Sequence, residues 1–506
     1  MSDPIAEIWS DDLLKRRADA ELLIDFLQRR FQERQDEGIP GAYTINLNAG
    51  WGHGKTFFLE RLEKHLAALG HLTTYVNGWR DDASNEPLVA VMAALERTLK
   101  PYFKKNSSAA ALWEVAKVSG GKVAIAVAKG ALRRLATKYV GEAVEEVSDI
   151  IDTAGQKSDI SKSVSAELKE IEKDATKAVE TTIDTLATKY LDSRILDYEK
   201  QLEASSTFKA RLNEILASLG AQGAVRLPLV VMIDELDRCR PTYAIEMLEQ
   251  VKHLFDVENT TFIIATDGDQ LAHSVSAIYG NSFDGKAYLR RFFNRHYKFE
   301  QRNLSEFVRY LFDVNKIDLG KFITPYELDP VDLFVGAMKR YGITLRDAEQ
   351  CFDILRSVAT LWDKRVPIEL SVILPLVITY QQHQMEEMAE LASPSATAPP
   401  VPVARDPWKF NVKYLDDHRR QVLQPLDVDE LNRRLVANAH KPLPNAHKSP
   451  GTGVIGEYVT RTLSREFATL HGNTSSGEGP KSIILEYPAL VRRVGRLSVD
   501  PESARA

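Results

Sequence analysis

The segment Ala49-Gly50-Trp51-Gly52-His53-Gly54-Lys55-Thr56 constrains this chain more than any other, because it follows the apolar run Tyr43-Thr44-Ile45-Asn46-Leu47 and opens a helix. Strand, glycine loop and helix in that order form a phosphate cradle. The glycines let the backbone curl so that successive N–H groups face phosphate oxygens, Lys55 reaches the β- and γ-phosphates, and the Thr56 hydroxyl ligates Mg²⁺. The helix start adds the positive end of its dipole. Gly50, Trp51, Gly52, His53, Gly54, Lys55, Thr56 and Phe57 are therefore the expected nucleotide-contacting residues. The spacing G-x-x-x-x-G-K-[ST] asks for glycine where this chain has Ala49. Gly50 and Gly52 keep the loop permissive.

A phosphate loop signals hydrolysis only with a second strand that carries carboxylates, and Leu229-Val230-Val231-Met232-Ile233-Asp234-Glu235 supplies it. An apolar run ending in two acids reads as a buried strand with its tip in a site. Asp234 is expected to hold Mg²⁺ through water, and Glu235 to orient and deprotonate the attacking water, with Asp237 the next candidate base. A third strand, Thr261-Phe262-Ile263-Ile264-Ala265-Thr266-Asp267, follows a helical stretch over residues 243–255. Its polar tip, Thr266 and Asp267, lies where a γ-phosphate sensor is expected.

Composition narrows the class. The 506 residues, 44 % hydrophobic and 27 % charged, suit about two to four globular domains. A net charge of -6 disfavours whole-surface nucleic-acid binding while leaving room for local basic patches. Two cysteines, Cys239 and Cys351, fit a reducing compartment and leave no thiolate metal cluster. The polar start Met1-Ser2-Asp3-Pro4 carries no secretory signal, and the most apolar stretch, residues 109–136, is broken by Glu114, Lys117, Lys122 and Lys129. A cytoplasmic protein without a transmembrane segment is the expectation.

The phosphate-loop lysine and the carboxylate strand lie far apart in sequence, with Leu72-Thr73-Thr74-Tyr75-Val76 as a second strand and a long helical stretch between. The expected organisation is an N-terminal part of the nucleotide core over residues 1–100 and a helical insertion over 101–224. The C-terminal part of the core follows over 225–302, then a helical lid over 303–392 and a linker with a C-terminal region over 393–506. The expected fold class is α/β. Within the insertion, apolar spacing of three or four from Ile160 to Ile183 describes a long amphipathic helix, either packed on its own domain or an arm for self-association. Residues 393–403 are rich in Pro, Ala and Ser and read as linker. The duplicated Asn438-Ala439-His440-Lys441 and Asn445-Ala446-His447-Lys448 read as loop.

With these segments in place, the chain resembles the KAP family of P-loop NTPases. The resemblance rests on Gly50 to Thr56, on Val76-Asn77-Gly78-Trp79-Arg80 with Pro87-Leu88, and on Ile233-Asp234-Glu235-Leu236-Asp237-Arg238-Cys239-Arg240-Pro241. It continues through Leu248-Glu249-Gln250-Val251-Lys252-His253-Leu254-Phe255, Tyr288-Leu289-Arg290-Arg291-Phe292 and Leu345-Arg346-Asp347, and Asp12-Leu13-Leu14-Lys15-Arg16-Arg17 also fits. It implies an ATP- and Mg²⁺-binding three-layer α/β P-loop NTPase core related to the STAND and AAA+ groups, with a long helical insertion and a helical lid. Many relatives carry transmembrane helices in the insertion. Their absence here points to the soluble bacterial branch, some members of which belong to anti-phage defence systems.

Spare cations are the remaining candidates. Arg290 and Arg291 follow the helix after the third strand, from which a cation could stabilise the transferring phosphoryl group in its own chain or in a neighbour. Arg291 is the catalytic candidate of the pair, and a homo-oligomer is the corresponding expectation. Arg346, heading a lid helix, is expected to touch the γ-phosphate. Arg238 either orients the carboxylates or serves a subunit contact. Asn315-Lys316-Ile317-Asp318 has the guanine-reading spacing but follows an amphipathic helix instead of a strand, so ATP is expected over GTP. Three functions compete: a nucleotide-dependent switch or remodelling ATPase, a nucleotide-stabilised scaffold with little turnover, and a nucleic-acid-dependent ATPase. The last is weakened because the C-terminal basic pairs lack interleaved aromatics. A protein partner is expected through the insertion or the C-terminal region.

Overall fold

Alternating side chains on five parallel strands build a sheet that is covered on both faces. The computed structural model describes residues 3–84, 86–104, 106–139, 179–253, 255–280, 282–299, 304–383, 406–415, 420–446, 453–471 and 480–496. They fall into two compact units, Met1–Ser10 with Arg17–Gly50 and Lys55–Phe299, and Asp11–Arg16 with Trp51–Gly54 and Glu300–Ala506. In the first unit, β1 (Tyr43–Asn48), β2 (His71–Asn77), β3 (Arg226–Asp234), β4 (Thr260–Thr266) and β5 (Arg295–Lys298) lie in the order β2-β3-β4-β1-β5. Each pairing is parallel.

The period of two in β3 and β4 separates the two faces. Val230, Met232, Ile263 and Ala265 point to a core with Leu23, Leu27, Phe58 and Leu62 from the helices Arg17–Asp36 and Lys55–Ala68. Leu229, Val231, Ile233, Phe262 and Ile264 point the other way, to Leu88, Val91, Leu95, Met247 and Leu248 from Pro87–Phe103 and Pro241–His253. Each such side chain contributes about 1.5–3 kcal/mol relative to exposure. The three-layer α/β core expected from the sequence is the fold observed.

Between β2 and β3 the chain forms the helices Ser107–Tyr139 and Val179–Ala221. Their bases enter the second core through Trp113 and Phe208, and Phe208 meets Phe255 edge-on at 5.4 Å. A Cβ on Gly120 would lie 2.5 Å from the Met92 sulfur, so that flexible side chain would have to shift. Of the expected helix over residues 160–183, residues 160–178 lie outside the described residues. The remaining five residues begin the described helix Val179–Ala221. Among the described residues no helix is long and apolar enough to cross a membrane.

The second unit is helical, with Ser305–Val314, Pro330–Tyr341, Leu345–Leu361, Leu370–Gln381, Val428–Ala439, Gly453–His471 and Tyr487–Gly495. Phe352 anchors its core between Phe312 and Phe334, at centroid distances of 4.7 and 4.5 Å. An antiparallel hairpin of Lys409–Leu415 with Gln421–Asp427 is preceded by Trp408. That indole is buried, and its Nε1 donates to Leu333 O at 3.1 Å. Of the duplicated motif read as loop, His440 and Lys441 lie in a turn past a helix end, while the Asn-Ala pairs are helical. Asn438 and Ala439 close Val428–Ala439, and Asn438 Nδ2 donates to Arg434 O at 2.8 Å. Asn445 and Ala446 lie in Leu443–Ala446, while His447 and Lys448 lie outside the described residues.

Candidate active site

β4 pairs with both β1 and β3, so the parallel order places three carboxyl-terminal strand ends side by side, where open α/β sheets bind ligands. Polar side chains lock these ends together. Ala49 N–H donates to Thr266 O at 3.2 Å, Gly268 N–H to Asn48 Oδ1 at 2.9 Å, and Thr266 Oγ1 to Asn46 Oδ1 at 2.9 Å. The tip of β4 is therefore structural in this state. The Thr266 side chain is sealed from solvent, and Asp267 caps the helix Gly268–Tyr279 by accepting from the Asp269 and Gln270 amides.

Position 49 does not need glycine, because Ala49 keeps a negative φ and continues the ladder. The left-handed turns fall at Gly52 and Gly54, with φ of 76° and 81°. Lys55 opens the helix Lys55–Ala68 and is buried, its Nζ donating to Ala49 O at 2.8 Å and Gly50 O at 3.3 Å. Asp237 Oδ2 lies 3.8 Å from the same ammonium. Thr56 sits half-buried in the first turn, and Phe57 carries the Arg61 guanidinium 3.4 Å from its ring centroid.

The loop tip Trp51–Gly54 groups with the second unit. Trp51 is 43 % exposed, and the Arg346 guanidinium lies 4.5 Å from its ring. Thr344, N-cap of Leu345–Leu361, faces Gly52, where a Cβ would meet its Oγ1 at 2.7 Å. His53 Nδ1 lies 3.1 Å from Trp51 O.

The acidic tip of β3 is built with help from β2. Asp234 is fully buried and accepts from Tyr75 Oη at 2.8 Å and from Glu235 N–H at 2.8 Å. Burial and the adjacent Asp234 charge push the Tyr75 phenol well above its usual range, so it remains a donor. Glu235 turns left-handed, with φ 59° and ψ 26°, a strained conformation of order 1–3 kcal/mol for a residue with a Cβ. Its Oε2 accepts from Asn77 Nδ2 at 3.1 Å, and its Oε1 lies 2.8 Å from Arg238. Tyr75 and Asn77 are two apart on β2, on one face, and Asn77 is in register with Asp234. Neither was assigned a site role from sequence, although Asn77 sits in the motif Val76 to Arg80.

The rest of that motif holds the two strand ends together. A Cβ on Gly78 would lie 3.1 Å from Asp234 O, a tight approach that glycine avoids. Asp82 receives Arg240 through its backbone N–H at 3.0 Å and its Nε at 3.0 Å. Burial raises the Asp82 carboxyl, and the Arg240 contacts outweigh that effect and hold it below its usual value. Cys239 is buried and its thiol is pushed up to about 12, first by burial and then by nearby carboxylates, which makes it a packing residue.

Mg²⁺ takes oxygen donors, and the oxygens here suit it. Beside the Thr56 hydroxyl and the Asp234 carboxylate, Asp237 Oδ1 is buried without a hydrogen-bond partner, an acceptor left open next to Lys55.

Arg291 lies away from the phosphate loop of its own chain. Asn294 N–H donates to Thr44 O at 2.8 Å, and Thr44 N–H donates back to Asn294 Oδ1 at 2.8 Å. The segment before β5 therefore lies at the amino-terminal edge of the sheet, opposite the phosphate loop. Arg290 and Arg291 are exposed there, with the Arg291 guanidinium 5.6 Å from the Tyr288 ring centroid. Asn315 to Asp318 forms a turn after the helix Ser305–Val314, where Asp318 accepts from Gly320 N–H at 3.0 Å.

Strand order, glycine loop and acidic strand tip together define a P-loop nucleotide-binding domain. The KAP family P-loop domain profile matches residues 37–318, more than half of the chain, and the protein belongs to that family. No curated protein matches it significantly.

Proposed function

We propose that the protein binds ATP with Mg²⁺ and hydrolyses it, and that nucleotide state switches its conformation. One observation carries this reading: two adjacent carboxylates at the β3 tip have different surroundings. Asp234 is sealed and doubly hydrogen-bonded, whereas the Glu235 side chain keeps 13 % exposure. The sealed group suits fixed metal-water binding, and the exposed one suits contact with a reacting water. Lys55 would exchange the Ala49 and Gly50 carbonyls for β- and γ-phosphate oxygens, which binds and orients the nucleotide. Thr56 and Asp234 would hold Mg²⁺, which when bound neutralises charge building on the phosphoryl oxygens. Glu235 would orient a water in line with the γ-phosphate and take its proton.

Switching needs contacts that differ between nucleotide states. The Trp51–Arg346 contact is a candidate, because Trp51 belongs to the loop that a nucleotide would reshape. The exposed Arg290 and Arg291 suit action on a neighbouring subunit's nucleotide, which makes a homo-oligomer part of the proposal. The engagement of both Glu235 oxygens favours a second reading, a scaffold with slow turnover. Competitive titration of ATP and GTP with Mg²⁺, followed by single-turnover hydrolysis of the tighter ligand, tests the proposal. Tighter GTP binding would overturn the base preference, and bound ATP left intact would favour the scaffold.

A further inference from the structure

Glu235 is held from two sides, and the cationic side is anchored on an exposed aromatic ring. Asn77 Nδ2 occupies Oε2 at 3.1 Å and Arg238 occupies Oε1 at 2.8 Å. The Arg238 guanidinium also lies 5.5 Å from the Trp79 ring centroid. Trp79 is 49 % exposed. Asn77 cannot readily leave, since its Oδ1 also caps the helix Gly78–Asp81 by accepting from Arg80 N–H at 2.9 Å. Arg238 can leave, because its side chain is 33 % exposed and sits in a single turn after β3.

We infer that Arg238, braced by Trp79, is a positioning residue that restrains Glu235 in a resting state, and that turnover requires its release. The inference rests on the reading of Glu235 as general base. In the restrained state a water must compete with a guanidinium for Oε1. Swinging Arg238 away frees that oxygen while Asn77 keeps the carboxylate aimed. The energy scale suits a brake that thermal motion or a partner can lift, because partly exposed ion pairs bias equilibria by only about 2- to 5-fold.

Steady-state turnover and nucleotide affinity of the full chain test this with Arg238→Gln, Arg238→Lys and Trp79→Ala. Arg238→Gln should raise kcat about 2- to 5-fold with affinity for a fluorescent ATP analogue unchanged. Arg238→Lys should restore most of the restraint. Trp79→Ala, an exposed substitution that spares the fold, should raise kcat in the same direction. In a Glu235→Gln background the Arg238→Gln change should have no effect on rate. A fall in kcat, or no change in either Arg238→Gln or Trp79→Ala, would overturn the restraint while leaving the base assignment standing. Full hydrolysis by Glu235→Gln alone would instead remove the base assignment.

Discussion

Tyr75 Oη donates to Asp234 Oδ2 at 2.8 Å across the β2–β3 ladder, so a phenol from one strand completes the carboxylate at the tip of the next. The Glu235 amide supplies the other bond. A buried carboxylate without donors would be strongly disfavoured as an anion. Two donors satisfy the Asp234 carboxylate oxygens inside the sheet.

Replacing Tyr75 by Phe should therefore lower stability by about 1–3 kcal/mol, the penalty of an unsatisfied buried acceptor. The expected companion effect is a higher Mg²⁺ concentration for half-maximal nucleotide binding. Chemical denaturation and Mg²⁺ titrations measure the two separately. Wild-type stability in the variant would mean that water replaces the phenol.

Lys55→Ala should weaken nucleotide binding about 10- to 100-fold, the range for losing one charge-assisted hydrogen-bonded contact. Its buried ammonium already sits among two carbonyls and Asp237, poised for an anion. Unchanged affinity by equilibrium titration would place the nucleotide elsewhere.

For Glu235→Gln the expectation is retained binding with hydrolysis slowed about 10²- to 10⁴-fold, since the amide keeps the shape and loses the base. Single-turnover kinetics with bound nucleotide isolates that step. Residual hydrolysis at the wild-type rate would shift the role to Asp237.

What could be read from sequence was local. The phosphate loop and the β3 tip announce themselves because glycine spacing and apolar runs are contiguous. Tyr75 and Asn77 gain their roles from register with residues far along the chain, and no local pattern carries that. Arg291 follows the β4 segment in sequence, yet a parallel β5 must start at the opposite edge, which carries it away from the loop. Trp51 reads as a nucleotide-contacting residue between two glycines. Its actual partner, Arg346, is supplied by a distant helix. In the C-terminal region, the prolines around the duplicated motif hid the helical spacing of Leu431, Leu435 and Ala439.

If Arg291 serves a neighbouring copy, activity per subunit should rise with protein concentration, and Arg291→Ala should remove that rise while preserving ATP affinity. Light scattering with ATP and Mg²⁺ reports assembly alongside the rates. A monomer whose specific activity ignores dilution would leave Arg290 and Arg291 as surface charge.

The second unit should lose stability between about pH 4.5 and pH 7, and Glu369 is the reason. This side chain is buried, and burial raises its carboxyl to about 7 against the pull of Tyr458, Ser371 and Arg465. Ser371 Oγ donates to its Oε1 at 3.0 Å and Tyr458 Oη to its Oε2 at 2.8 Å. Tyr487 accepts from its backbone N–H at 2.9 Å, and the Tyr487 phenol is raised first by burial and then by the charges of Glu369 and Glu466, the latter itself raised by burial. A carboxyl raised in the folded state contributes its stability fully below its unfolded pKa. That contribution is lost as pH rises through the folded value. The loss approaches about 3 kcal/mol at most, from 1.36 kcal/mol per pKa unit. Glu369→Gln stays neutral throughout and keeps an acceptor for Ser371 or Tyr458. Its unfolding midpoint, measured against wild type from pH 5 to 8, should gain on wild type from pH 5 to about pH 7 and level off by pH 8. Parallel curves across that range would show that Glu369 does not titrate on unfolding.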